Sequence, residues 1–125
     1  MDEIYFPPRE LAVMSVLWRL GRATVAEVRE ALDEDIAYTS VLSALQTLEQ
    51  KGYVGHDAEG RAYRYHARVP ADEAGRSAVA RIREAIFHGS AEKLFAQLLA
   101  DRDTSRAELE RMRRLLADRL REDES

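Results

Sequence analysis

The chain has 125 residues, 46% of them hydrophobic and 34% charged, with a net charge of −4 and no cysteine. That length allows one domain with an appendage or two small ones, and the composition is that of a globular chain with a core. Disulfides, thiolate nucleophiles and thiolate metal sites are excluded, and apolar runs such as Leu98-Leu99-Ala100 are too short to span a bilayer.

The acidic start Met1-Asp2-Glu3-Ile4 lacks the basic flank of a signal peptide, so the cytoplasm is the expected compartment. A first helix is expected from Pro8 to Leu20: proline suits a first helical position, and Gly21 ends the run. Leu11, Met14, Leu17 and Trp18 recur at helical spacing and are expected to make its apolar face. Thr24-Val25-Ala26-Glu27 has the form of a capping box, opening a second helix with Val25, Val28 and Leu32 inward. The third helix is expected from Thr39 to Lys51, stopped by Gly52. Its Val41, Leu45 and Leu48 share one face, while Thr39, Ser43, Gln46, Thr47 and Gln50 fall on the other. That outer face carries uncharged hydrogen-bonding groups, where a plain solvent stripe would carry more Lys and Glu.

A hairpin follows, with strands at 53–56 and 61–67 around an expected four-residue turn, Asp57-Ala58-Glu59-Gly60. The alternation sends Tyr63 and Tyr65 one way, onto the helices, and Ala62, Arg64 and His66 the other. From Arg61 to Arg68 there are three arginines, a histidine and no acid. The rest of the chain reads as three helices: one from Ala71 to Phe87, one capped by Ser90, and one opened by Ser105-Arg106-Ala107-Glu108. Their apolar positions, Leu94, Phe95, Leu98 and Leu99, then Leu109, Met112, Leu115 and Leu116, have no larger body within the segment to cover them. A second copy of the same helices is the expected partner, so these residues are the candidate dimerisation set.

Three helices and a basic hairpin make a winged helix-turn-helix. The expected fold is therefore mainly α with a small β-hairpin wing: a DNA-binding domain over residues 1–70 and a helical dimerisation domain over 71–125. A helix fits the major groove, where short polar side chains reach base edges, and arginines on a protruding hairpin reach phosphates. The overall negative charge does not oppose this, because binding depends on the local surface. A two-fold dimer would place two such helices about one DNA turn apart, on a palindromic site. Two other readings stay open: a winged helix that binds protein with the same surface, and a ligand-responsive repressor of another winged-helix family.

Four stretches resemble the penicillinase-repressor family (the BlaI, MecI and CopY repressors): Glu10-Leu11-Ala12-Val13-Met14 with Leu17-Trp18, Ala37-Tyr38-Thr39-Ser40-Val41-Leu42, Leu48-Glu49-Gln50-Lys51-Gly52-Tyr53-Val54, and Gly60-Arg61-Ala62-Tyr63-Arg64-Tyr65. The resemblance implies a homodimer on a palindromic double-stranded DNA operator, repressing resistance or metal-homeostasis genes. It carries DNA contacts onto Thr39, Ser40, Ser43, Gln46 and Thr47 of the third helix and Arg61 and Arg64 of the wing. Many relatives have arginine where this chain has Thr47. The copper-responsive branch ends in a cysteine-rich metal site that this chain lacks. In the β-lactam branch a sensor-linked protease cuts the C-terminal domain, and the corresponding bond here is Gln97-Leu98.

No cofactor is implied. His56, His66 and His88 are too scattered for a metal cluster, although His56 and His66 could face each other across the hairpin. The carboxylates lie in mixed-sign helical surfaces, where pairing at i,i+4 accounts for them. No Ser/His/Asp ordering or phosphate loop is present, so an enzyme is not expected.

Overall fold

The first helix, α1 (Pro8–Leu20), opens on proline with its fixed φ and closes on Gly21 at φ +84°. The computed structural model describes residues 3–124; Met1 and Asp2, part of the acidic start, and Ser125 lie outside it. After α1 come β1 (Arg22–Ala23), α2 (Val25–Ala31), α3 (Tyr38–Gln50), β2 (Val54–Glu59), β3 (Ala62–Ala67), α4 (Ala71–Ala85), α5 (Ala91–Leu99) and α6 (Arg106–Glu124). The three strands form one antiparallel sheet in the order β1-β3-β2. By contact the chain divides into two units, Met1–Val79 and Ala80–Ser125, with α4 running from one into the other.

In the first unit, α1, α2, α3 and the sheet enclose a core of Val13, Met14, Leu17, Val28, Val41, Leu45, Leu48 and Val54, each at most 1% exposed. The threonine cap of α2 is complete: Glu27 N donates to Thr24 Oγ1 (3.2 Å) and Thr24 N to Glu27 Oε1 (2.9 Å). Arg29 Nε donates to Ile36 O (2.8 Å), holding the segment between α2 and α3 against α2. Over the far side of α1, Trp18 Nε1 donates to Val69 O (2.8 Å), and Phe6 packs edge-on against Trp18 and Tyr53. Ser77 Oγ accepts from Ile4 N and donates to Ile4 O, fastening the chain before α1 to the first half of α4.

Four local expectations change. Leu11 is not on the buried face of α1; it is 46% exposed, and Val13 and Val16 are buried beside Met14 and Leu17. The helix must face α3 and the sheet together, which turns its inner side toward the two valines. The hairpin turn has two residues, not four. The ladder runs on to the pair Glu59↔Ala62, leaving Gly60 (φ +62°) and Arg61 at the tip, with glycine at a position that favours positive φ. Backbone pairing there is indifferent to the polar side chains of Asp57 and Glu59, which stand in solvent. Of the two tyrosines only Tyr65 packs inward (2% exposed), because Tyr63 lies out toward the tip, beyond the helices. The two-residue strand β1 was not expected; it exists by pairing Arg22 with His66 and Ala23 with Tyr65.

In the second unit, α5 is capped by Ser90 Oγ, which accepts from Lys93 N (3.1 Å), and Ser105 Oγ caps α6 through Glu108 N (3.1 Å). None of its described side chains is buried.

Emptying a fully enclosed position should be costly, and truncating Leu11 should not. Leu45→Ala is expected to lower the unfolding free energy by about 2–5 kcal/mol. For Leu11→Ala a loss under about 1 kcal/mol is expected, both read from urea unfolding curves. Equal losses would place Leu11 in the core after all.

Candidate nucleic-acid interface

The inward face of α3 consists of Val41, Ala44, Leu45 and Leu48, all buried. At about 100° per residue this fixes the outward stripe as Thr39, Ser43, Gln46 and Gln50, all exposed, flanked on one side by Ser40 and Thr47 and on the other by Tyr38 and Leu42. The expected contact residues of the third helix thus come together on one surface. Across its 13 residues the helix carries one charge, Glu49, and no cation.

Each flank of the stripe opens on a cleft. On one side α1 supplies Arg9 and Glu10 opposite Thr39, Ser40, Ser43 and Thr47, around about 380 Å³ of open space. Glu10 Oε1 accepts from Lys51 Nζ (2.9 Å), which ties the start of α1 to the end of α3. On the other side Tyr38, Leu42 and Gln46 face Arg61 and Tyr63 of the wing, around about 410 Å³. Arg61, at the turn, is exposed, and among the described residues its side chain makes no hydrogen bond or ion pair.

Arg64 is placed differently from Arg61. Its guanidinium donates through Nη1 to Glu27 Oε1 (2.8 Å) and through Nε to Glu59, and its side chain is 34% exposed. The Glu27 oxygen that closes the α2 cap is the same one that holds the wing arginine. The Thr24 backbone N–H is the largest influence on the Glu27 carboxyl and outweighs the upward push of desolvation; with the smaller help of the Arg64 charge it holds the carboxyl below its ordinary range. Glu59 and Glu27 in turn raise the Arg64 guanidinium further above its already high value. A further tie joins the wing to α3: His56 Nδ1 lies 2.6 Å from Glu49 Oε2, and the His56 ring packs on Tyr63 at 4.4 Å between centroids. Burial, and then Glu49, lift the Tyr65 phenol above its usual value.

His56 and His66 do not face each other across the hairpin. His56 pairs with Tyr65 and His66 with Gly55, so the two rings lie on opposite faces of the sheet. Among the described residues no group of three or more His, Asp or Glu is placed to hold a metal ion. Sequence reading passed over Arg9, Tyr38 and Tyr63 as members of this surface, since nothing local in their neighbourhoods marks them. Gln97 and Leu98 lie inside α5 and are exposed.

The penicillinase repressor family model matches residues 6–118. The chain belongs to the penicillinase repressor family. That is a family of regulators and not of enzymes. The BlaI transcriptional regulators of two Mycobacterium tuberculosis strains are 46% identical to it over 59 residues, 45% of this chain and 43% of theirs. The match therefore spans less than half the length of these curated relatives. Among solved structures, an E. coli MarR variant aligns over 92% of this chain and 78% of its own, at 15% identity and TM-score 0.52. Rv0081 of M. tuberculosis aligns over 78% and 84%, at 24% identity and TM-score 0.51. At such identities the likeness concerns the fold alone, which is that of winged-helix regulators. No helix among the described residues of this family member is long and apolar enough to cross a membrane.

The shared Glu27 oxygen sets a testable acid limit. A carboxyl whose folded value is depressed contributes stability at neutral pH that disappears as pH falls through that value. Followed by carboxyl-carbon NMR, Glu27 is expected to titrate below the ordinary glutamate range. Arg64→Ala should raise its midpoint only part-way, because the Thr24 N–H, the larger influence, remains. An unchanged midpoint would show that Arg64 does not engage Glu27 in solution.

Proposed function

We propose that this penicillinase-repressor family member is a homodimeric, sequence-specific DNA-binding repressor that lays α3 in the major groove of a palindromic operator. The observation that carries this is the uncharged, hydrogen-bonding outer stripe of α3, presented by a winged helix between clefts that each hold an arginine. Thr39, Ser43 and Gln46 are the base-reading residues, with Ser40 and Thr47 bonding toward backbone along the stripe's edge. Arg61 takes a phosphate from the wing tip. Arg64 reaches DNA only when its carboxylates let go; with them engaged, it holds the wing at the angle that Arg61 needs.

Dimerisation is assigned to the second unit. Leu98, Leu99, Leu115, Leu116 and Leu120 are between 47% and 69% exposed, an apolar allotment that a solitary unit would leave in water. A second copy presenting the same faces covers them and sets two wings on one duplex. The genes controlled are of the β-lactam-resistance or stress type, and release follows cleavage at Gln97-Leu98 by a sensor-linked protease. That bond lies in a nine-residue helix with no buried side chain, so local opening to a protease is cheap.

Selection from a random DNA pool tests the reading directly. The expected outcome is a two-fold symmetric motif with half-sites about one helical turn apart; weak, sequence-blind binding would end the proposal. On the selected site Gln46→Ala is expected to lose roughly 1–3 kcal/mol of discrimination at one base pair of each half-site. Leu115→Glu, at an exposed position, should leave the first unit folded while sedimentation shifts from dimer to monomer. A variant that still sediments as a dimer would place the interface elsewhere.

A further inference from the structure

We propose that Arg9, in the first turn of α1, is a DNA phosphate-binding residue, so that the recognition helix is gripped by a cation on each side. The inference rests on the reading of α3 as the DNA-facing helix and extends that surface onto an element that neither the family match nor the wing identifies. Duplex DNA presents a phosphate on both walls of the groove, and affinity comes chiefly from neutralising them. Nothing in α3 can do so, because the helix has no basic residue and its one charge is acidic. The cations must come from its neighbours. Arg61 serves the flank of Tyr38, Leu42 and Gln46. On the opposite flank the cleft with Ser40, Ser43 and Thr47 contains a single uncommitted cation, Arg9.

The other charges around that cleft leave Arg9 available. Lys51 is held by Glu10, which cancels both. Glu34 borders Arg9 on its far side, across a second small cleft with Leu32 and Ile36. Among the described residues the Arg9 side chain nonetheless makes no hydrogen bond or ion pair, and the residue is exposed. Local helix chemistry does not account for an arginine here either. A cation in the first turn sits at the positive end of the helix dipole, which disfavours it. Four hydroxyls, of Thr39, Ser40, Ser43 and Thr47, and one guanidinium facing the same open space are, by contrast, the donors that phosphate oxygens take. Thr47 is short and neutral, and Arg9 brings to its side of the groove the charge that α3 itself does not carry.

The test uses the full-length protein, with the duplex enriched from a random pool and a scrambled duplex of equal length, each titrated over a range of salt. Arg9→Ala is expected to weaken both complexes alike, by about five-fold for each protomer bound. It should lower the slope of log affinity against log salt by about 0.9 per protomer. Arg9→Lys should restore most of the slope. Because the side chain is exposed and unpaired, Arg9→Ala is expected to melt with the wild type, which separates loss of contact from loss of fold. Wild-type affinity and slope in Arg9→Ala, with the wild-type protein itself binding its selected site, would overturn the role of Arg9 and leave the repressor reading intact. A loss confined to the selected duplex would also overturn it, since a phosphate contact carries no sequence preference. A wild-type protein that binds neither duplex would overturn the repressor reading and Arg9 with it.

Discussion

Val41, Ala44, Leu45 and Leu48 lock α3 in rotation against the rest of the first unit, and the outer surface of the helix inherits its phase from that lock. A helix turned by one residue would bring hydroxyls and amides into the core, where each unpaired polar group costs on the order of 1–3 kcal/mol. The polar stripe therefore stays outward for the same reason that the leucines stay inward. On the proposed reading the stripe must present its side chains to base edges in a fixed phase, and that phase is set by the packed face rather than by the stripe itself. Ser and Thr contribute further by being short, with little rotamer freedom to lose on contact.

The wing has no comparable core. Beyond Tyr65 it projects into solvent, and its orientation depends on polar ties at two levels. At one, Arg64 joins Glu27 and Glu59; at the other, His56 meets Glu49. Exposed ion pairs are weak singly, but Glu27 is already fixed by the Thr24 cap and offers Arg64 a carboxylate whose freedom has been spent. The wing is thus tied to the cap of α2, the helix that precedes α3 and holds the segment leading to it through Arg29 and Ile36. These ties leave Gly60 and Arg61 outside the ladder at the tip, which is where the proposed reading needs a phosphate-seeking arginine.

Local chemistry made much of this legible beforehand. Pro8, Gly21, Thr24 with Glu27, and Ser90 mark helix ends through backbone preferences acting over three or four residues, and the elements begin and end within two residues of them. The phase of α3 was legible too, because a helix with four enclosed apolar positions allows one orientation. What stayed hidden depends on distant partners. A two-residue strand has no periodicity, so β1 exists only through β3. Leu11 fits the helical repeat as well as Val16 does, and only the joint demand of α3 and the sheet decides between them. Glu27 looks like a cap and nothing more until the fold brings Arg64, 37 residues away, to the same oxygen. Arg9 reads as an ordinary surface arginine until α1 is laid against α3.

The second unit inverts the logic of the first. Its helices are specified almost wholly by local means: serine caps, and ion pairs three or four residues apart such as Arg113 with Glu110 and Arg119 with Asp123. Such devices contribute only tenths of a kcal/mol each, and a nine-residue helix is marginal in water without packing. The apolar residues of α5 and α6 supply what is missing only when another surface covers them. If a second copy does so, ordering of this unit and assembly of the dimer become one equilibrium, set by protein concentration. On the proposed reading, two DNA-binding units joined through it would gain an effective concentration that neither has alone, and cleavage of the exposed Gln97-Leu98 bond in α5 would remove that gain without touching α3. A weakly self-sufficient second unit is then no defect: it would make DNA occupancy sensitive to a single cleavage.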